Sequence, residues 1–172
     1  MSEHALTNVL EAILLAAGRP LSIAQITELF EESQRPAEAD LREALADLGR
    51  RYQGRGVELA EVASGWRIQV RPVHSEIVSR LWQERPMRYS RALLETLALV
   101  AYRQPVTRGE IEAIRGVTVA STIMRTLFER NWIRVVGHRE VPGRPELLGT
   151  TREFLDYFGL RRLDEEAAWI ER

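Results

Sequence analysis

Few side chains in this 172-residue sequence have the types and spacing that catalysis or metal binding would need. Cys is absent, which excludes disulfides, thiolate nucleophiles and cysteine-based zinc or iron–sulfur sites. The three histidines, His4, His74 and His138, lie in different regions, and none has a second histidine four residues away. The sequence also lacks the phosphate-loop, nucleophile-elbow and dinucleotide-binding motifs. We therefore predict a protein that is not an enzyme and has no metal site and no cofactor.

Arginine is the one residue type whose distribution indicates a possible ligand. All 24 basic residues are Arg, and they are nearly balanced by 25 acidic residues. Residues 1–85 contain 10 Arg and 13 acids, whereas residues 86–152 contain 11 Arg and 6 acids. A polyanion would be attracted only to the second stretch. Within it, the candidate phosphate contacts are Arg125, Arg139 and Arg144, and we expect any DNA contact to be weak or indirect.

The elements that must position these residues occur twice. The segment that starts at Ile13 aligns with the segment that starts at Ala98, and Pro20 then falls on Pro105. In each copy, three stretches with apolar residues at helical spacing precede two stretches with a period of two. Three helices followed by a two-stranded ribbon form a winged helix, which is a helix-turn-helix variant with a β-wing. The predicted fold class is α+β, mainly α, with tandem winged-helix domains.

Capping residues mark the start of the second helix in each copy. Ser22 with Gln25, and Thr107 with Glu110, have the spacing of a capping box, in which the two side chains bond each other's backbone N–H groups. We therefore predict that a helix follows Ser22 and that another follows Thr107.

The repeat gives the domain organisation. Residues 1–85 are predicted to form the N-terminal winged-helix domain with a linking helix, residues 86–160 the C-terminal domain, and residues 161–172 an acidic tail. Low positive charge and a large apolar stripe favour the first domain for dimerisation. The longest apolar run, residues 12–17, is far too short to span a membrane, and no basic leader precedes it. We expect a cytoplasmic protein.

Two long motifs in the second half indicate a family. Residues 101–117 read AYRQPVTRGEIEAIRGV, and residues 142–160 read PGRPELLGTTREFLDYFGL. In these motifs the sequence resembles the bacterial segregation and condensation protein B family. The resemblance covers the full chain and is most specific after Leu93.

The resemblance implies a function in chromosome condensation and partition during cell division. It implies two winged-helix domains, a homodimer formed mainly through the N-terminal domains, and no enzymatic activity. It also implies binding to a kleisin subunit, segregation and condensation protein A, which bridges the ATPase heads of the SMC protein. Such an accessory subunit of a condensin-like complex would be associated with the nucleoid.

Partner-binding residues are expected among the exposed apolar and aromatic positions of the second domain, because aromatic residues are enriched at protein interfaces. The candidates are Tyr102, Val117, Val119 and Tyr157.

The alternative function is a winged-helix DNA-binding transcriptional regulator that uses the basic second domain. The first domain does not suit that function, because its third predicted helix starts with Glu38, Asp40 and Glu43. These carboxylates would repel the phosphates that a recognition helix approaches.

Overall fold

The computed structural model describes residues 3–81 and 88–163, and its contacts divide the chain into two compact units, Met1–Pro86 and Met87–Arg172. The fold is α+β and mostly helical. Residues 82–87, which include the end of the predicted linking helix, and residues 164–172 of the predicted acidic tail lie outside the described residues.

The first unit contains helices and one antiparallel hairpin. Its helices are α1 (Glu3–Ala17), α2 (Ile23–Glu28), α3 (Glu38–Arg51) and α4 (Ser75–Val78), and its strands are β1 (Val57–Val62) and β2 (Gly65–Val70). Short 3-10 helices cover Glu32–Gln34, Pro72–His74 and Ser79–Leu81. The predicted linking helix thus begins as three short helical pieces over Pro72–Leu81 rather than as one regular helix.

Leucines at helical spacing on α1 and α3 form the core of this unit, with Ile26 from α2. Leu10, Leu45 and Leu48 are completely buried there. The hairpin places Leu59 opposite Ile68, and both side chains pack against the same core. The capping box predicted at Ser22 and Gln25 is present, so α2 starts where the sequence indicated.

A single backbone bridge joins the hairpin to the start of α2. The N–H of Leu21 donates to the carbonyl of Trp66 at 2.9 Å, and the N–H of Trp66 donates to the carbonyl of Leu21 at 2.8 Å. Gly65, with φ +129, lies directly against this bridge. A Cβ atom on Gly65 would be 2.1 Å from the Leu21 carbonyl oxygen, so only glycine fits this position.

The second unit has a similar element order with one more strand. Its helices are α5 (Arg91–Arg103), α6 (Arg108–Arg115), α7 (Ser121–Glu129) and α8 (Arg152–Phe158), and its strands are β3 (Val106–Thr107), β4 (Ile133–His138) and β5 (Glu146–Thr150). The strands form an antiparallel sheet in the order β3-β5-β4. The third strand, β3, was not predicted, because two residues are too few to show a period.

The core of the second unit lies between its helices and the inner face of its sheet. Leu97, Ile111, Leu127 and Phe154 are completely buried in it. The side-chain oxygen of Gln104 accepts a hydrogen bond from the backbone N–H of Thr150 at 2.7 Å and thereby fixes the end of α5 to β5. The second unit therefore presents α6, α7 and the β4–β5 hairpin on a well-packed base.

Candidate protein-binding surface of the second unit

The start of α6 is fixed by the capping box that the sequence predicted. The backbone N–H of Thr107 donates to the Glu110 carboxylate at 2.8 Å, and the N–H of Glu110 donates to the Thr107 hydroxyl at 3.2 Å. Arg139, in the loop of the β4–β5 hairpin, makes an ion pair with the same carboxylate at 2.7 Å. The Arg139 side chain therefore connects the hairpin loop to α6.

A second carboxylate fixes the loop between α6 and α7. Glu112 accepts hydrogen bonds from the backbone N–H of Val119 at 2.8 Å and from the Arg108 guanidinium at 3.0 Å. The Arg108 guanidinium also donates to the carbonyl of Val119. The three residues form a latch, which we call the Glu112 latch, and it turns the Val119 side chain into the core.

Val119, one of the predicted partner contacts, does not lie where the prediction placed it. Val119 was expected at the exposed surface, but its side chain is only 1% exposed and packs in the hydrophobic core. The expectation of exposure was wrong, because the backbone bonds to Glu112 and Arg108 that turn this residue inward join positions distant in sequence. Val119 therefore cannot offer its side chain to a partner.

The Glu112 latch makes the stability of this unit depend on pH. The Val119 N–H, and then the Arg108 guanidinium, hold the pKa of Glu112 below its usual range. A lowered folded-state pKa means that the contribution of this group to stability is present above about pH 4.5 and is lost as pH falls through the folded-state pKa. We expect the thermal midpoint to fall on acidification, and to fall less in Glu112→Gln. Calorimetric scans from about pH 5 to pH 3 test this, and equal slopes for the two proteins would contradict it.

The predicted phosphate contacts lie on two elements. Arg125 is exposed on α7, whereas Arg139 and Arg144 lie in the β4–β5 loop. The Arg144 guanidinium makes an ion pair with Glu140 at 2.8 Å. Since Arg139 pairs with Glu110, the two loop arginines already have carboxylate partners, and little positive charge remains there for a phosphate.

A groove, which we call the α7–β5 groove, lies between α7 and β5 next to the first residues of α6. It has a volume of about 230 Å³, and its floor is apolar. Phe128, which is 37% exposed, and Glu146 are among its lining residues. The lining residues are Arg108, Gly109, Met124, Phe128, Pro145, Glu146 and Leu148. A concave apolar surface of this size accommodates about one large side chain of a partner.

Aromatic side chains form a second apolar surface around α8. Tyr157, more than half exposed, lies with its ring centroid 4.7 Å from that of the buried Trp132. Tyr89 lies 5.0 Å from the same ring, and the Arg130 guanidinium lies over Tyr89 at 5.4 Å. Burial, and then a hydrogen bond with Tyr89, raise the pKa of Tyr157. Tyr157 thus combines an anchored ring with an exposed edge, as interface aromatics do.

The other two predicted partner contacts lie on different elements. Tyr102 is 53% exposed near the end of α5, and Val117 is 56% exposed just after Gly116, the left-handed residue that ends α6. Sequence reasoning missed Met124 and Phe128, the α7 residues of the groove.

The described parts of the chain contain neither a cluster of metal ligands nor a helix that could span a membrane. Among residues 3–81 and 88–163, no three His, Asp or Glu side chains come together as metal ligands. No helix within those ranges has the length and hydropathy of a membrane span.

Comparisons with known proteins give the class of this chain. The family model described as segregation and condensation complex subunit ScpB matches residues 8–166. The class is therefore a subunit of a complex that segregates and condenses chromosomes. The chain belongs to the segregation and condensation protein B family.

The chain is similar to individual relatives and to solved structures. A segregation and condensation protein B homolog from Coxiella burnetii is 52% identical over 165 residues, which cover 96% of this chain and 79% of that protein. The crystal structure of ScpB from Mycobacterium tuberculosis is 34% identical, covers 93% of this chain and 98% of its own, and has a TM-score of 0.43. A crystal structure of a dimer of the ScpB N-terminal domain complexed with an ScpA peptide is 23% identical, covers 44% of this chain and 93% of its own, and has a TM-score of 0.39.

Proposed function

We propose that the chain is a non-enzymatic accessory subunit of a condensin-like SMC–kleisin complex. In this role it forms a homodimer and binds the kleisin subunit, segregation and condensation protein A, and through it the SMC ATPase. The single observation that carries the proposal is the family match over residues 8–166. The site of action would be the cytoplasm, at the nucleoid.

Tandem winged-helix domains are part of the proposal. In each unit three helices precede an antiparallel hairpin, and an additional segment bonds to the hairpin from the start of the second helix. That segment is Leu21, bridged to Trp66, in the first unit and β3, paired with β5, in the second. This is the element order of a helix-turn-helix with a wing.

The proposed division of labour follows the two units. Residues 1–85 would form the dimerisation domain and include the link, residues 86–160 would bind the kleisin, and residues 161–172 would be an acidic tail. The second unit supports a partner-binding function because it carries apolar side chains more than one-third exposed on several elements. They are Tyr102, Ile114, Val117, Phe128, Val135, Val136, Val141 and Tyr157.

A protein partner fits the second unit better than a nucleic acid. Specific DNA-binding surfaces need several arginines that are free to meet phosphates. The loop residues Arg139 and Arg144 have Glu110 and Glu140 as partners, and Arg108 is held in the Glu112 latch. The α7–β5 groove offers apolar contacts instead.

The second candidate function, a DNA-binding transcriptional regulator, has exposed arginines of the second unit in its favour. Arg125 is exposed on α7, the third helix of its unit, which in winged-helix DNA binders is the recognition helix. Arg134 is also exposed, on strand β4 of the hairpin. Two arginines are fewer than the about six or more phosphate contacts of a typical DNA binder, so we place this function second.

Calorimetric titration at two salt concentrations distinguishes the candidates. We expect the chain to bind the middle segment of the kleisin with an affinity that changes less than about tenfold between roughly 50 and 200 mM salt, because apolar burial is weakly screened. A duplex binder that makes six or more phosphate contacts would lose about a thousandfold over the same range. Absence of kleisin binding together with steeply salt-dependent duplex binding would contradict the proposal.

A further inference from the structure

The helical stretch that follows the first hairpin exposes an apolar stripe. Val73, Ile77 and Leu81 are spaced four residues apart in Pro72–Leu81, and they are 79%, 64% and 77% exposed. Val70, at the end of β2, is also partly exposed. A helical stretch of this length is only marginally stable in water without packing, and contiguous apolar surface is typical of interaction sites.

The base of this stretch is held firmly. The guanidinium of Arg71 donates to the carbonyls of Arg55 at 2.9 Å and Tyr52 at 3.1 Å, and it pairs with the Glu58 carboxylate at 3.1 Å. The backbone N–H of Arg71 also donates to the carbonyl of Gly56 at 3.0 Å. These bonds fix the backbone at Arg71, directly before Pro72–Leu81, and thereby fix the direction in which the helical stretch begins.

We propose that this stripe is a self-association surface, which packs antiparallel against the same stripe of a second copy across a two-fold axis near Ile77. The proposal rests on the proposed homodimer and names the surface that forms it. In such an isologous contact both copies use the same surface. Because the two stretches run antiparallel, Val73 of one copy would lie near Leu81 of the other.

Charge complementarity favours a second copy as the occupant. Glu76 and Arg80 lie on one flank of the stripe and make an ion pair at 3.5 Å within the chain. Both side chains are highly exposed. In an antiparallel two-fold contact each flank faces the same flank of the other copy, so Glu76 of one copy lies about equally near Glu76 and Arg80 of the other. The contact then contains two attractive Glu76–Arg80 pairs and one repulsive Glu76–Glu76 pair, and the net interaction is attractive. The charges on this flank therefore favour a second copy on balance, and they add to the apolar match.

Charge reversal tests the contact between copies directly. By sedimentation of the full-length chain, Glu76→Arg and Arg80→Glu should each weaken the homodimer at least tenfold, because each places like charges opposite one another. An equimolar mixture of the two variants should form a heterodimer, and the double variant should dimerise like the wild type. In Glu76→Arg both positions are positive, and in Arg80→Glu both are negative. Each variant therefore repels a copy of itself and attracts a copy of the other variant, so a heterodimer forms only if these residues meet between copies.

An apolar variant with a matched control completes the test. Ile77→Asp should weaken dimerisation at least tenfold, whereas Leu15→Asp, at an exposed leucine on α1, should not. Circular dichroism verifies that each variant is folded.

Dimerisation that is unchanged in Ile77→Asp and in both charge variants would overturn this inference while leaving the homodimer intact. Reduced kleisin binding with unchanged dimerisation would likewise overturn it, since the kleisin would then be the occupant. A monomeric wild-type chain at tens of micromolar would overturn the proposed homodimer as well.

Discussion

Replacing Gly65 with alanine is expected to unfold the first unit or to lower its free energy of unfolding by roughly 3 kcal/mol or more. The new Cβ would be 2.1 Å from the carbonyl oxygen of Leu21 and 2.5 Å from the backbone nitrogen of Ser22. Neither atom can move without breaking the bridge between Leu21 and Trp66. The φ of +129 adds a backbone strain that any L side chain would have.

Gly18→Ala is the matched control. Gly18 also has a positive φ, +61, but a Cβ there meets nothing within 4 Å. We expect a loss of only about 1 kcal/mol, the cost of the left-handed backbone alone. Chemical denaturation of the full chain, together with hydrogen exchange at the Leu21 and Trp66 amides, measures both effects. Equal losses for Gly65→Ala and Gly18→Ala would show that the bridge does not constrain this hairpin.

Truncating exposed apolar side chains of the second unit should reduce its affinity for the kleisin far more than neutralising exposed arginines of the same unit. Tyr102→Ala and Phe128→Ala are each expected to weaken binding about thirtyfold, which corresponds to about 2 kcal/mol, as buried interface anchors do. Arg125→Gln combined with Arg144→Gln should weaken it less than about threefold, because charges at an interface rim act mainly on the association rate.

Calorimetry of these variants against the kleisin middle segment gives the comparison, after a thermal transition has shown that each variant is folded. The double arginine variant is the control, because it changes exposed side chains outside the apolar surfaces. If the arginine pair lost more affinity than either apolar variant, the surface would be electrostatic and the proposed mode of kleisin binding would be wrong.

Local signals predicted those parts of the structure that depend on neighbouring residues. The capping boxes at Ser22 and Thr107 were predicted because both partners lie within three residues of each other. The helices were predicted in the same way, from apolar residues one turn apart.

Features that depend on distant contacts could not be predicted. The helical period favoured an inward Val119, but the choice of partner contacts placed it at the surface, because the sequence does not show that Glu112 bonds to its backbone. The period of α7 favours an inward Phe128, but that residue lines the α7–β5 groove and is 37% exposed. The close approach of Gly65 to Leu21 likewise depends on a long-range bridge.

The acidic start of α3 remains a feature of the first unit that argues against DNA. Glu38 and Asp40 lie in the first turn, and Glu38 makes an exposed ion pair with Arg42 at 2.8 Å. A groove of about 500 Å³ next to this helix is lined by Asp40 and Glu43. Phosphates would be repelled from this helix end, which fits a first unit that contacts protein rather than nucleic acid.

Co-purification from the native cell tests the central claim most directly. A tagged full-length chain, expressed at its normal level and captured after nuclease treatment, is predicted to retain the kleisin subunit and the SMC ATPase in reproducible ratios. Nuclease treatment matters because it removes partners that are bridged only by DNA. Recovery of the chain without the kleisin and SMC proteins, under conditions in which those two proteins still co-purify with each other, would contradict the proposed function.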